Sequence, residues 1–314
     1  MAAITCYVHK KQELSAKGRA VTEKTCPCNL TREELIEYTP EWGGDRSEDG
    51  RPKVSDSILE RMRKVTTTEA WGVLRGEGYE WAFEGDWVCT HPDEVLVGRA
   101  LTAMYIPRRP VMRSVMEAKG EAAGCIGDQI SWPIDMLTPG DVYVADVFGK
   151  IVQGPVIGDN LAVAILANSG NGVVHDAAVR DMDGIRELEG FCSFVRGTHP
   201  SYASPTIMLA GVNCPVRIGG TSCMPGDVVL GRHDGVVFIP PHLAEKVVKT
   251  SELVRLRDRF GKQRLSEGTY TPGQIDTRWI DDIERDFSGW LTQHQDELPV
   301  SAEAIQELLA QRTW

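Results

Sequence analysis

The sequence predicts an α/β protein with a compact, barrel-like or sandwiched β core and helices outside it. Three observations carry this. Between about 95 and 240, short Val/Ile-rich runs alternate with Gly/Pro punctuation, as in "EVLVGRALTAMYI", "GDVYVADVFG" and "GVVHDAAV". Two of the runs, "TPGDVYVADVFGKI" (138–151) and "MPGDVVLGRHDGVVFI" (224–239), open with the same Pro-Gly-Asp-Val. Pro-Gly sets a tight turn, and the Val-rich run after it enters a sheet. Finally, no strand is followed by G-x-G-x-x-G, and G-x-x-x-x-G-K-[ST] is absent, so neither an open dinucleotide-binding sheet nor a P-loop is expected.

Taken in order, residues 1–57 form an N-terminal extension. Within it, Thr31 and Glu34 have capping-box spacing and predict a helix at 31–38. "PEWGGDRSEDGRPKVSDS" (40–57) reads as a linker or wrapping arm. A helix is expected at about 57–64, and Thr66 with Glu69 caps another before Ala70, Trp71, Val73 and Leu74. Residues 58–250 form the main domain, with strands as above and helices near 110–120, 159–168 and 183–188. Residues 251–314 form a C-terminal helical extension. "LAEKVVKTSELVRLRDRF" leads into it, and "IDDIERDFSGWLTQHQ" and "SAEAIQELLAQRTW" follow after a Gly/Pro/Thr break.

Composition sets the class. The 314 residues are 42% hydrophobic and 25% charged, as in an ordinary globular protein. A net charge of −11 argues against nucleic acid or an anionic membrane as partner. No run approaches the length of a transmembrane helix, and Met1 to Lys11 has no signal-like apolar core. The eight scattered cysteines read as reduced thiols in a cytoplasmic protein, and "CPC" at 26–28 reads as a loop.

The chemistry concentrates in "GDNLAVAILANSGNGVVHDAAVRD" (158–181). A helix of about ten residues from Asp159 rises about 15 Å. A strand of five or six residues returns about 17–20 Å. Arg180 and Asp181 therefore come back to the height of Asp159. Free amides at the helix start suit a carboxylate or phosphate. Arg180 offers a planar donor fork for a carboxylate or enolate oxygen. Asp159 and Asp181 are hard oxygen donors, suited to Mg²⁺ or Mn²⁺. Together these groups resemble a site for a 2-oxo acid. On spacing alone, Asp159 is also readable as a helix cap and Arg180-Asp181 as a surface turn pair.

The same stretch resembles the RraA-like family, which includes class II 4-hydroxy-4-methyl-2-oxoglutarate and 4-carboxy-4-hydroxy-2-oxoadipate aldolases. Asp159, then twenty residues, then Arg180-Asp181 match the aldolase signature of that family. "LVGRALT", "PGDVYVADVFG", "PVRIGG" and "PGDVVLGRHDGVVFIP" match in order, over roughly 58–250. The resemblance implies a β/β/α sandwich like the phosphohistidine swivelling domain, assembled as a homotrimer or homohexamer. It implies that Asp181 holds the divalent metal and that Arg180 binds the 2-oxo oxygen and stabilises a pyruvate enolate. It implies that Asp159 orients a water for proton transfer, and that Gly158 and the amides of Asn160 and Leu161 receive the substrate carboxylate. The implied activity is metal-dependent aldol cleavage, with oxaloacetate decarboxylation as a side activity. The alternatives are a non-catalytic regulatory or binding protein, as in the ribonuclease inhibitors of the family, or a lyase using the same site on a different sugar-acid or hydroxy-acid substrate. Retention of Asp181 favours an enzyme. Ala177 and His175 depart from the pattern, and His175 is expected to be a buried structural residue. Glu252 is a candidate carboxylate for a neighbouring subunit. Tyr79, Trp81, Phe83 and Trp87 could cover the pocket but are expected to pack. One of Arg108, Arg109 and Arg113 could bind a second substrate carboxylate, but they are expected to form a solvated helix start.

Overall fold

A computed structural model of the chain describes residues 26–294. The helix expected at 301–314 lies outside them. Helix α1 (Arg32–Tyr38) and helix α3 (Thr67–Gly76) begin where their capping boxes place them. In each, the Thr hydroxyl accepts the Glu amide at 3.2 Å and the Glu carboxylate accepts the Thr amide at 2.8 Å. Helix α2 (Asp56–Met62) starts at Ser55, whose hydroxyl accepts the Ile58 amide.

The core is one large mixed sheet. Its strands are β1 (Phe83–Glu84), β2 (Val88–Cys89), β3 (Leu96–Pro107), β4 (Asp141–Lys150), β5 (Val173–Val179), β6 (Phe194–Thr198), β7 (Ile207–Val212), β10 (Val228–Arg232) and β11 (Gly235–Ile239). The order is β1-β11-β10-β3-β4-β5-β6-β2, with β7 also paired to β3. The centre, β3-β4-β5-β6, is parallel, and the outer pairings are antiparallel. Parallel strands need crossovers. Helices α4 (Pro110–Ala122) and α5 (Trp132–Asp135), then α6 (Asp159–Ser169), then α7 (Met182–Arg186) supply them. A two-stranded hairpin, β8 (Val216–Ile218) with β9 (Thr221–Cys223), forms a second β layer.

Side-chain alternation sorts these layers. Val173, Ala177 and Val179 of β5 pack with Ala162 and Ile165 of α6. Val174 of the same strand packs on the opposite face with Val216 and Ile218 of β8. The result is the expected layered β/β/α sandwich. The run 224–239, read as one strand entry, is in fact a hairpin that turns at 233–234.

The two terminal segments behave differently from each other. Residues 26–57 are woven into the core. Leu30 donates its amide to Val212, and the buried Arg51 guanidinium meets the Asp141 carboxylate at 3.0 and 3.1 Å. At the other end, helix α8 (Ala244–Ser266) is about 35 Å long and runs unbroken across the boundary expected at 250/251. Its first half buries Val247 and Val248 beside Met62 and Leu74. Its second half carries Leu256 and Phe260 into a separate aromatic cluster. There Trp279 joins Phe287 and Trp290 of α10 (Asp281–His294), beyond the short α9 (Pro272–Ile275).

Candidate functional site

The two ends of 158–181 meet. Arg180 donates its amide to the Ile157 carbonyl at 3.1 Å, which ties the end of β5 to the residue before the α6 cap. A Cβ at Gly158 would lie 2.6 Å from Asp181 Oδ2 and 3.0 Å from Arg180 Nε. Only glycine leaves room for both side chains there. Gly184 plays the same part for Asp159: a Cβ would lie 3.0 Å from Asp159 Oδ2. The expected residues Gly158, Asp159, Asn160, Leu161, Arg180 and Asp181 thus form one surface. It lies at the carboxyl end of the parallel strands, where open α/β sheets place their ligands.

Local geometry orients each group. Ala162 closes the first turn of α6 on Gly158, so the amides of Asn160 and Leu161 precede the first intrahelical bond. The Asn160 amide meets the Asp159 carboxylate at 2.7 Å. Asp181 sits in the left-handed region, φ 56° and ψ 43°, which turns the chain sharply between β5 and α7. Arg180 Nε and Asp181 Oδ2 are 3.6 Å apart and both side chains are 43% exposed. So open a pair contributes little to stability, and both groups remain available to a ligand. The donors are hard oxygens and a guanidinium, facing solvent beside a helix N-terminus. Among the described residues no three His, Cys, Asp or Glu side chains are placed together as a metal-ligand set, so a cation here would keep much of its water.

Gly184 was not anticipated. The Asp183-Gly184 dipeptide was the available signal, and it was read only as part of a helix. His199 follows β6, the strand beside β5. Its amide donates to Val179 and its Nδ1 pairs with Ser201 Oγ at 2.8 Å, so it abuts the strand end before Arg180.

Other candidates go elsewhere. His175 is fully buried, and burial pushes its pKa down to about 4. It lies five residues before Arg180, about 16 Å down the strand, and acts in the core. Arg113 is not solvated: it is buried against Asp128 at 2.6 Å and Glu117 at 2.6 Å. Glu252 pairs with Arg61 at 2.7 Å within the chain. Trp87 stacks on Arg196, 3.7 Å from its ring centre, and Arg196 in turn holds Asp176 at 2.7 Å. Tyr79 and Trp81 line a different cavity. The described cysteines are free thiols, and Cys26 and Cys28 approach to 3.5 Å. No helix among the described residues is long and apolar enough to cross a membrane.

The chain is thus a layered α/β sandwich with a helix N-terminus, an arginine and two carboxylates at one sheet end. A model of the RraA-like family, Aldolase/RraA, matches residues 78–238, just over half of the chain, and the chain belongs to that family. It is 29% identical over 174 residues to the Legionella pneumophila protein DlpA, covering 55% of this chain and 26% of that one. It is 31% identical over 130 residues to a Halalkalibacterium halodurans protein provisionally named as a 4-hydroxy-4-methyl-2-oxoglutarate aldolase, covering 41% and 60% of the two chains. The chain thus spans about a quarter to three fifths of these relatives. Among solved structures, the Streptomyces coelicolor protein RraAS2, described as an unusual member of the RNase ES inhibitor RraA family, superposes with a TM-score of 0.56. It is 23% identical and the match covers 70% of this chain and all of that one. An uncharacterized Pseudomonas syringae protein gives 0.57 at 24% identity, over 71% and 98% of the two chains. At these identities the structures speak to fold alone.

Proposed function

We propose that the chain is a divalent-metal-dependent carbon–carbon lyase acting on a small 4-hydroxy-2-oxo acid. The observation that carries this is the close approach of Arg180 and Asp181 to Gly158, the residue before Asp159, with Asp159 itself seated against Gly184. The relative provisionally named as an aldolase supports the same reading.

Asp181, with Asp159 beside the same glycine-lined surface, supplies the hard oxygen donors that Mg²⁺ or Mn²⁺ prefers. The ion, when bound, acts as a Lewis acid on the 2-oxo group. The chain's own groups do the rest. The Leu161 amide and the α6 dipole receive the substrate carboxylate, which takes the Asn160 amide over from Asp159. The Arg180 guanidinium donates to the 2-oxo oxygen, and its charge counts most when that oxygen becomes an enolate. Asp159 positions a water that takes the proton from the 4-hydroxyl. The C3–C4 bond then breaks, its electron pair forms the enolate, and protonation at C3 releases pyruvate with a second carbonyl compound. Oxaloacetate loses CO₂ through the same enolate. Because the site is open on one side in a single chain, a homotrimer or homohexamer in which a neighbour closes it fits this reading.

The test is pyruvate release from oxaloacetate and from 4-hydroxy-4-methyl-2-oxoglutarate, with Mg²⁺ or Mn²⁺ and with EDTA. Arg180→Ala should lower kcat at least a hundredfold without changing the melting temperature. Asp181→Ala should abolish the metal-dependent release. Wild-type turnover in Arg180→Ala would refute the site. Absence of both turnover and metal binding in the wild type would favour a non-catalytic binding protein.

A further inference from the structure

A cavity of about 380 Å³ lies between the N-terminal arm and the sheet, at the amino end of the central strands and so at the opposite end from Arg180. Its walls are aromatic. Tyr38 and Trp42 come from the arm, Tyr79 and Trp81 from the segment before β1, and His242 from the turn after β11. Tyr38 is 52% exposed and Trp81 77%. Exposed aromatic rings in this number around one hollow are unusual for a surface that only meets water.

The arm is held rigidly enough to build a wall. Arg46 donates to the Thr39 hydroxyl and carbonyl at 2.8 and 2.9 Å and to the Gly50 carbonyl at 2.9 Å. The Trp42 indole N–H is satisfied by the Asp45 carbonyl at 2.7 Å, which fixes the ring. On the other wall, the Trp81 carbonyl accepts the Thr221 hydroxyl. Tyr79 packs 6.3 Å from His242, ring centre to ring centre.

The floor carries a carboxylate. Asp227 is 5% exposed and its Oδ2 accepts the Met224 amide at 2.8 Å. It forms no ion pair among the described residues. A buried carboxylate without a countercharge is costly, and burial pushes its pKa up to about 7. Glu41 and Glu80 stand at the same cavity, and among the described residues no Lys or Arg lines it. Burial first, and then the charges of Glu41, Asp227 and Glu77, push the Tyr79 hydroxyl upward. Aromatic faces around an uncompensated carboxylate are the chemistry that recognises an ammonium group.

We propose that this cavity is a binding site for a small organic ammonium ion, with Asp227 as countercharge and the Tyr79, Trp81 and Trp42 rings as the cage. The site is independent of the Asp159–Arg180–Asp181 surface. Tyr38, Glu41 and Trp42 lie outside the segment 78–238 that matches the family, so one wall of the pocket comes from the arm and not from the matched segment.

Calorimetry on the full chain tests this with three probes: choline, n-butylammonium, and 3,3-dimethylbutan-1-ol, the uncharged isostere of choline. The expected result is saturable 1:1 binding of at least one cation, with the neutral isostere at least tenfold weaker. Asp227→Asn should weaken the cation at least tenfold while leaving the neutral alcohol unchanged. Trp81→Ala, at a largely exposed side chain, keeps the test valid where Asp227→Asn fails to fold, and should weaken the cation about fivefold to thirtyfold. Equal affinity for cation and isostere would overturn the proposal in favour of an apolar groove. Cation binding indifferent to Asp227→Asn and Trp81→Ala would place the ion elsewhere and overturn it too. So would no binding of either cation at millimolar concentration.

Discussion

Asp141 and Asp227 stand in the same local structure and meet opposite electrostatic fates. Each ends a Pro-Gly-Asp turn at the start of a strand. Gly140 and Gly226 have φ of 85° and 86°, as the third position of a type II turn requires. Each Asp amide returns to the first residue of its turn, at 3.0 and 3.1 Å. Each Oδ2 accepts that residue's amide, at 2.8 Å in both. The difference comes from the arm. It drives Arg51 into the core against Asp141, and it gives Asp227 only aromatic rings and another acid. The same four-residue turn is therefore a structural anchor in one place and an unpaired charge at a cavity in the other. Local sequence sets the turn; what crosses it in space sets the function.

This contrast can be broken from either side. The largest effect is expected from Arg51→Met. It leaves the Asp141 carboxylate buried without its partner, at a cost of about 3–5 kcal/mol. Denaturant unfolding should show it, and Arg51→Met with Asp141→Asn should recover at least half of the loss. A cost below 1 kcal/mol would mean that the ion pair does not anchor the arm.

Next comes the pH dependence of Asp227. The folded protein keeps its proton up to about pH 7, whereas the ordinary carboxyl value is 3.8. The folded state thus binds more protons than the unfolded state between those values, and the Asp227 contribution to stability falls as pH rises from about 4 to 7. Glu41, Glu80, Tyr79 and His242 face the same cavity, so the contribution is read as the difference between wild type and Asp227→Asn. The two should match near pH 4, and Asp227→Asn should be roughly a few kcal/mol the more stable at pH 8. Parallel pH profiles would remove the claim of an uncompensated charge. The buried His175, held near 4, acts with the opposite sign. Its contribution is complete above about 6.5 and declines as pH falls from there toward 4.

Smaller effects separate the turns themselves. Gly140→Ala and Gly226→Ala both force alanine to positive φ, at about 1 kcal/mol each. Gly226→Ala should cost more. Its Cβ would lie 2.6 Å from the Pro52 ring and 3.0 Å from that residue's backbone, whereas at Gly140 it meets a side chain, the Arg99 guanidinium, and no backbone. Trp81→Ala should change the melting midpoint by no more than about 0.5 kcal/mol equivalent, in keeping with a ring that faces a ligand cavity.

Much of this was legible in the sequence where the signal is local. Thr31/Glu34 and Thr66/Glu69 fixed two helix starts, and Gly158 through Asp181 foretold a helix, a return strand and a closed loop between them. Those features depend on residues within a few turns of one another. What escaped depends on distant partners. Nothing near Arg113 announces that Asp128 and the 204–207 segment bury it. Nothing near Arg51 points ninety residues ahead to Asp141. The cavity at Asp227 needs the arm, the 79–82 segment and the β11 turn to coincide, and no spacing in the chain encodes that. Gly184 was missed because its role is to leave room for a side chain from another element, which composition does not reveal.

The central claim is that Asp159, Arg180 and Asp181 make an enolate-stabilising site, and it is tested most directly without knowing the natural substrate. Pyruvate is incubated with the protein in D₂O, and loss of its methyl proton signal is followed by NMR. The account predicts exchange that needs Mg²⁺ or Mn²⁺, stops with EDTA, and is lost in Arg180→Ala and Asp181→Ala with the fold intact. Wild-type protein that binds the metal yet leaves the methyl protons unexchanged, or Arg180→Ala that exchanges them at the wild-type rate, would contradict it.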